Sequence, residues 1–503
     1  MQGTSSARLY RTPTRASWQS RISSGRLQVP LEIDLFAIER GSITAPAGCG
    51  KTQLIAETLI AHRQSKPILV LTHTNAGVAA LRARLRRAGV PNSAYRVSTI
   101  DGFSMRLIAK FPARSGHNPQ ILQLHQPNTD YPAIRHAAML LLQAGHLAQP
   151  LRATYARLLV DEYQDCNVVQ HAIVSGLAQV LPTCVLGDPM QAIFDFRGNR
   201  LVHWANEVQP LFPAAGELRI PWRWRLAGAE NLGQWLLAIR QQLQVGQPVD
   251  LRTAPAEVRW VQLNAGTEVQ QRLVAARTES PNARGSVLII GDSINVQGRH
   301  QLTSQTPGAM AVEAVDLRDL VNFARNFNLQ GANALAQLAE FASSVMTGVG
   351  AANLRTRVES LRTGRARTPP TPAEAEAVAF VGEPTPQRAL LVLNALAEQP
   401  GARVYRPEVL HCCRSAMQAV AGGTADFLSA AIQARERNRH LARPIARRSV
   451  GSTLLLKGLE ADVSVVLHPE LMTAQNLYVA LTRGARHVVV CSSNPILMPV
   501  NNG

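Results

Sequence analysis

Between residues 40 and 300, short apolar runs alternate with stretches of helical spacing. Ser42–Ala45, Pro67–Leu71, Leu158–Val160 and Thr183–Leu186 read as buried strands, each followed by loop chemistry. Leu54–Arg63 and Ala76–Ala88 lie between them and read as helices. That alternation predicts an α/β fold with a parallel sheet, whose ligands gather at the C-terminal strand ends. A second set of strands is read at Val258–Leu263, Ser286–Gly291, Asp462–Leu467 and His487–Cys491. Residues 305–445 interrupt this set and read mainly as helix, with a loop rich in Pro and Thr around Thr363–Pro386. There is no internal sequence repeat, yet the two α/β units are of similar size.

Composition adds a partner. The chain has 503 residues with 52 Lys and Arg against 34 Asp and Glu, a net charge of +18, which favours a polyanion such as nucleic acid. Only four of the cations are lysine: Lys51, Lys66, Lys110 and Lys457. In so arginine-biased a chain each lysine draws notice, because a compact ammonium and a planar fork do different work. Residues 1–31 carry five arginines and no acid, and read as a flexible basic arm. Six arginines lie within Ala434–Arg448 and could track a phosphate backbone. The six cysteines show no CxxC pair and no zinc spacing, which speaks for a reducing cytoplasm. No uncharged apolar run reaches the roughly 18 to 20 residues of a membrane span, so no membrane partner is expected.

Two motifs carry chemistry. Ala45-Pro-Ala47-Gly48-Cys49-Gly50-Lys51-Thr52 follows a strand and opens a helix, as a P-loop (Walker A) must. Its small residues let backbone N–H groups curl around phosphates, Lys51 reaches the β and γ phosphates, and Thr52 offers a hydroxyl to Mg²⁺. Gln53 is counted with this nucleotide cradle. Leu158-Leu-Val-Asp161-Glu162-Tyr-Gln164-Asp165 is an apolar strand ending in acids. Asp161 is placed to hold Mg²⁺, and Glu162 to polarise the attacking water.

Together these stretches resemble a superfamily 1 helicase of the UvrD/Rep type, and further matches follow in that family's order. Leu71–Ala76 resembles TFTNKA, and Ser98–Phe103 resembles STFHSF. Leu186–Gly198 resembles GDPDQSIYxFRG, and Leu218–Trp224 resembles LxxNYRS. Lys457–Glu460 resembles KGLEF, and Leu477–Arg483 resembles LLYVALTR. The departures are His73, Asp101, Leu454 and Ala461, and the adenine-reading Gln has only Gln28 as a stand-in.

The resemblance implies an α/β fold of two RecA-like P-loop motor domains with mainly helical insertions. The first would span 32–110 and 151–215 with a small helical insertion at 111–150. The second would span 216–304 and 446–503, with a helical accessory insertion at 305–445. It implies ATP and Mg²⁺ as cofactors, Gln191 as γ-phosphate sensor, and Arg223 and Arg483 as arginine fingers. Trp222 would stack on adenine and Glu460 would contact the ribose. DNA would meet His73, Thr74, Asn75, Thr99, Phe196 and Arg197, whereas Phe194 reads as core. The implied activity is 3′ to 5′ movement on single-stranded DNA, or on DNA with single-stranded ends, coupled to strand separation. The alternative is a DNA-stimulated ATPase or sensor partnered by a nuclease, since size and motif set resemble the helicase component of Gabija-type antiphage defence systems.

Overall fold

The computed structural model describes residues 32–194, 200–439 and 446–501. The expected basic arm, Gln28, Phe196, Arg197 and Arg443 lie outside the described residues. The first sheet is built from β1 (Arg40–Thr44), β2 (Ile68–Thr72), β3 (Tyr95–Thr99), β4 (Leu158–Val160), β5 (Thr183–Gly187) and β6 (Ala214–Glu217). All its pairings are parallel, in the order β3-β2-β4-β5-β1-β6. Every residue of β2, β4 and β5 is buried, because helices cover both faces. The period of two decides who meets whom. Leu69, Leu71, Leu158 and Val160 face the helices Ile100–Lys110, Pro127–Gln143 and Val168–Ala178. Ile68, Val70, Leu159 and Leu186 face the helices Lys51–Ala61 and Asn75–Arg87.

Downstream, the short strand β7 (Val249–Asp250) precedes β8 (Val258–Gln262), β9 (Val287–Ile290) and β10 (Ala309–Ala311). After the insertion, which holds the antiparallel pair β11 (Met346–Thr347) and β12 (Arg403–Val404), come β13 (Arg448–Gly451), β14 (Ala461–Val466) and β15 (Gly484–Ser492). The second sheet is parallel, ordered β10-β13-β9-β14-β15-β8, and β16 (Ile496–Leu497) pairs with β7. Each six-stranded sheet with its helices is one RecA-like unit.

Three findings modify the sequence reading. Strands β3, β6, β10 and β13 escaped it, and Ala309–Ala311 lies within the stretch read as helix. The Pro- and Thr-rich loop contains a full helix, Pro372–Gly382. Thr371 accepts from the Glu374 N–H, the Glu374 carboxylate accepts from the Thr371 N–H at 2.9 Å, and Pro372 opens the first turn, so proline here starts a helix rather than breaking one. The helix Pro127–Gln143 sends Ile134, Ala138 and Leu141 into the first unit's own core, so the small insertion shares that core.

The larger insertion has a core of its own, with Leu338, Ala342, Val392, Leu393 and Cys413 at 0% exposure. All six cysteines are buried. Burial pushes the Cys184 thiol up to about 12 and that of Cys491 to about 11. Among the described residues no helix is long and apolar enough to cross a membrane.

Because the insertion carries its own core, damage there should stay local. Leu338→Ala removes a fully buried side chain and should cost about 2–5 kcal/mol. The expected readout is an earlier calorimetric transition with nucleotide affinity intact; a parallel loss of nucleotide binding would show that the cores are not separable.

Candidate active site

Beyond β1 the chain turns through 45–50 and enters the helix at Lys51. Gly48 (φ +69°) and Gly50 (φ +89°) hold left-handed conformations that side chains resist. Space is short as well: a Cβ on Gly48 would meet the Trp224 ring at 2.5 Å, and one on Gly50 the Trp222 ring at 3.0 Å. No side chain caps the helix Lys51–Ala61, so its first N–H groups face the loop and suit a phosphate. Lys51 Nζ lies 2.6 Å from Glu162 Oε1 and 3.1 Å from Asp161 Oδ1. Burial pulls its pKa down, but the two carboxylates outweigh this and hold it above the ordinary lysine value. Thr52 follows, half-buried, while Gln53 spends its amide on Glu57 at 3.0 Å. Ala47 donates its N–H to the Tyr478 hydroxyl at 3.2 Å, and Cys49 is buried beneath the loop.

The acids arrive at the end of β4. Glu162 takes a left-handed φ of 56°, rare for a side-chain-bearing residue, and this aims its carboxylate at Lys51. Its other oxygen accepts from Gln164 Nε2 at 2.6 Å. Burial pushes this carboxyl up, but Lys51 and Lys457 override it and bring it down to about 2. The buried Asp161 carboxyl is shifted upward, burial outweighing Lys51. Gln191 follows β5 in a short 3₁₀ turn, and its amide donates to Asp188 Oδ2 at 3.1 Å.

The second unit closes over these groups. The Arg223 N–H donates to Gly48 O at 3.0 Å, tying the P-loop to the helix Trp222–Ala227. Its guanidinium donates to Thr482 O at 2.7 Å and to Glu460 at 2.5 Å. Trp222 is 6% exposed, packs on Gly50 and lies under Arg225. Arg483 is buried and donates to Val479 O, Leu459 O and Thr482 Oγ1; burial and then Arg223 lower its pKa to about 10. The two expected finger arginines are therefore held by carbonyls and a carboxylate beside the P-loop. Lys457 reaches furthest: its Nζ donates to both oxygens of Asp165 (2.5 and 2.7 Å) and to Gln191 O at 2.5 Å.

Of the groups expected on DNA, Thr74 and Thr99 spend their hydroxyls as helix N-caps, accepting from Gly77 and Gly102 N–H groups, and Asn75 is exposed beside them. His73 sits 5.8 Å from the half-buried Phe194, whose ring also takes Lys457 at 4.6 Å. Phe194 thus lines the cleft instead of filling a core. Arg447 and Arg448 donate to the carbonyls of Ala283 and Ala276, so these two members of the arginine run are anchored to their own unit. Three contributors went unremarked in the sequence: the Tyr478 hydroxyl, Lys457 as a bridge, and Arg240, which pairs with Asp188 at 2.8 Å. Lys457 and Tyr478 had a signal, since they lie in the stretches Lys457–Glu460 and Leu477–Arg483; Arg240 had none, being a single polar residue on an apolar helix face.

Paired parallel sheets, with a glycine-lined turn, a lysine and acids where the two units meet, define a two-unit α/β protein with a candidate phosphate site at the cleft. Residues 39–131 and 120–209 match the UvrD/REP helicase N-terminal domain. An ATP-dependent helicase/nuclease component of Levilactobacillus brevis is 37% identical over 76 residues, covering 14% of this chain and 6% of that protein. DNA helicase II of Salmonella typhimurium is 30% identical over 114 residues, covering 21% of this chain and 16% of that protein. The chain therefore spans less than a fifth of the length of these curated relatives. A solved complex of Arterivirus nonstructural protein 10 (helicase) with DNA covers 92% of this chain and 66% of its own at 9% identity and a TM-score of 0.34, too loose a likeness to argue from. The family match lies within residues 39–209, and these likenesses support a UvrD-like superfamily 1 helicase.

The crowding at Gly48 makes a direct test. Gly48→Ala forces both a left-handed alanine and a clash with a fully buried Trp224, so nucleotide affinity should fall by at least about tenfold, the equivalent of the roughly 1–2 kcal/mol penalty for the backbone alone. A titration with a fluorescent ATP analogue reads this, and unchanged affinity would mean that the loop is not the nucleotide cradle.

Proposed function

We propose that this chain is an ATP-dependent DNA helicase or translocase moving 3′ to 5′ on single-stranded DNA, working in the cytoplasm. The observation that carries this reading is the convergence on one cleft of Lys51, Glu162 and Gln191 from one unit with Arg223, Glu460 and Lys457 from the other. Lys51 would exchange its two carboxylates for the β and γ phosphates. Glu162, ionised and hydrogen-bonded to Gln164, would orient and polarise water. Arg223 and Arg483 would turn from their present acceptors toward the γ-phosphate, and Trp222 and Glu460 would hold adenine and ribose. The uncapped helix start and the glycine-lined turn fit the phosphates of MgATP; Thr52 and Asp161 would hold the metal, which would neutralise charge on the phosphate oxygens when bound. His73, Thr74, Asn75, Thr99, Phe196 and Arg197 would grip DNA, and alternate closure and opening of the cleft would move it.

A second reading is a DNA-stimulated ATPase or sensor beside a nuclease in antiphage defence. It draws on the small insertion, whose helix Pro127–Gln143 packs into the first core and so offers little to engage a duplex. Unwinding of a forked duplex by the isolated chain favours the first reading; stimulated ATPase without unwinding, and a nuclease recovered by pull-down, favours the second.

Both readings require turnover to rise with a single-stranded oligonucleotide, and equal rates would sink both. Glu162→Gln should bind ATP yet lose about 10²–10⁴ in rate. Lys51→Ala should weaken nucleotide binding itself. Retained turnover in Glu162→Gln would show that this acid is not the base.

A further inference from the structure

Asp188 is fully buried, and its two oxygens serve different partners. Oδ1 accepts from the Met190 N–H at 3.1 Å and from Arg240 Nε and Nη2 at 3.0 and 2.8 Å. Oδ2 accepts from the Gln191 amide at 3.1 Å. The Asp188 N–H donates to Gln164 Oε1 at 3.1 Å, and Gln164 in turn donates to Glu162 at 2.6 Å. Asp188 is thus joined by its carboxylate to the expected γ-phosphate sensor and, by its backbone N–H through Gln164, to the expected base.

Arg240 comes from the other unit. It lies on the helix Glu230–Gln244, whose Leu232, Leu236, Ile239 and Leu243 pack with Leu288, Ile290, Val466 and Val488 of the second core. It is 4% exposed, and its remaining nitrogen approaches Glu217 Oε1 at 3.5 Å. It lies outside every stretch that resembles a helicase motif. A guanidinium giving two donors to one oxygen fixes the orientation of that carboxylate far better than a point charge would. A glutamine amide on three rotatable bonds gains a preferred direction only if its acceptor is fixed.

We propose that Arg240 is a positioning residue which sets the Gln191 side chain through Asp188, and so reports the placement of the second unit to the site of hydrolysis. This rests on the motor reading above. If the units shift, Arg240 moves with its helix, the Asp188 carboxylate loses its anchor, and the Gln191 amide loses its direction. Phosphate sensing is then strongest when the second unit is seated.

The test is a double-mutant cycle on the full chain, read as kcat and KM for ATP with and without single-stranded oligonucleotide, and as Kd for a fluorescent ATP analogue. Arg240→Gln should lower oligonucleotide-stimulated kcat by on the order of tenfold or more, as small misplacements do, at unchanged nucleotide Kd. In a Gln191→Ala background the same change should cost nothing further, because residues acting as one unit do not lose rate independently. Removing half of a buried pair can unfold a chain. The cycle is therefore repeated with Arg240→Lys, which keeps the charge and should lie between wild type and Arg240→Gln, with rates taken per nucleotide-binding molecule. Losses that multiply in either cycle overturn the relay, since a merely structural arginine would lower the rate whatever stands at 191. A wild type indifferent to oligonucleotide overturns the motor reading and the relay with it; a stimulated wild type with multiplying losses overturns the relay alone.

Discussion

The Lys457 ammonium leaves the second unit and is received in the first by both oxygens of Asp165 and by Gln191 O. Taking a charge out of water costs several kcal/mol per ion, so each half of this pair needs the other unit in place. The shifts at its two ends agree. Burial pushes the Asp165 carboxyl up to about 7 despite Lys457, and burial lowers the Lys457 pKa despite Asp165. A bridge whose ends are both driven toward neutrality adds little net adhesion. What it supplies is register: the units have one seated arrangement, and water can compete for the contact once the cleft begins to open. Weak adhesion with strict placement is what the proposed motor would require.

The same economy of charge governs the P-loop. Lys51 is neutralised by Asp161 and Glu162 at a place where phosphates would otherwise do so. The two acids keep a buried ammonium satisfied, and the left-handed backbone at Glu162 directs the carboxylate there. In the proposed function an incoming polyphosphate would meet a lysine already in position, and its arrival would free two carboxylates for metal and water.

How much of this was legible in sequence depended on how local the signal was. The central strands β2, β4 and β5 are continuous apolar runs because both faces are covered, and they were read within a residue or two. Strand β6 is Ala-Ala-Gly-Glu, and β10 is three residues long; neither has the branched or aromatic side chains that mark a strand, and both are held by pairing at a sheet edge. The helix Pro372–Gly382 did carry a local signal, a capping box with proline in its first turn, which the surrounding prolines obscured. The glycine-lined turn before Lys51 and the acids after β4 were legible because spacing along the chain fixes them. Arg240, and the pairing of Tyr478 with Ala47, were not, since the partners lie 52 and 431 positions apart and only the packed fold joins them.

The burial of all six thiols has a use in the laboratory. Each of Cys49, Cys166, Cys184, Cys412, Cys413 and Cys491 is sheltered, and burial raises the pKa of the Cys184 and Cys491 thiols, so few thiolates stand ready for an alkylating reagent at neutral pH. The unmodified chain is then a quiet background for maleimide dyes. One cysteine introduced on the exposed face of each unit would take nearly all the label, and the distance between two fluorophores could follow the cleft through its cycle without first stripping the native sulfur from the core.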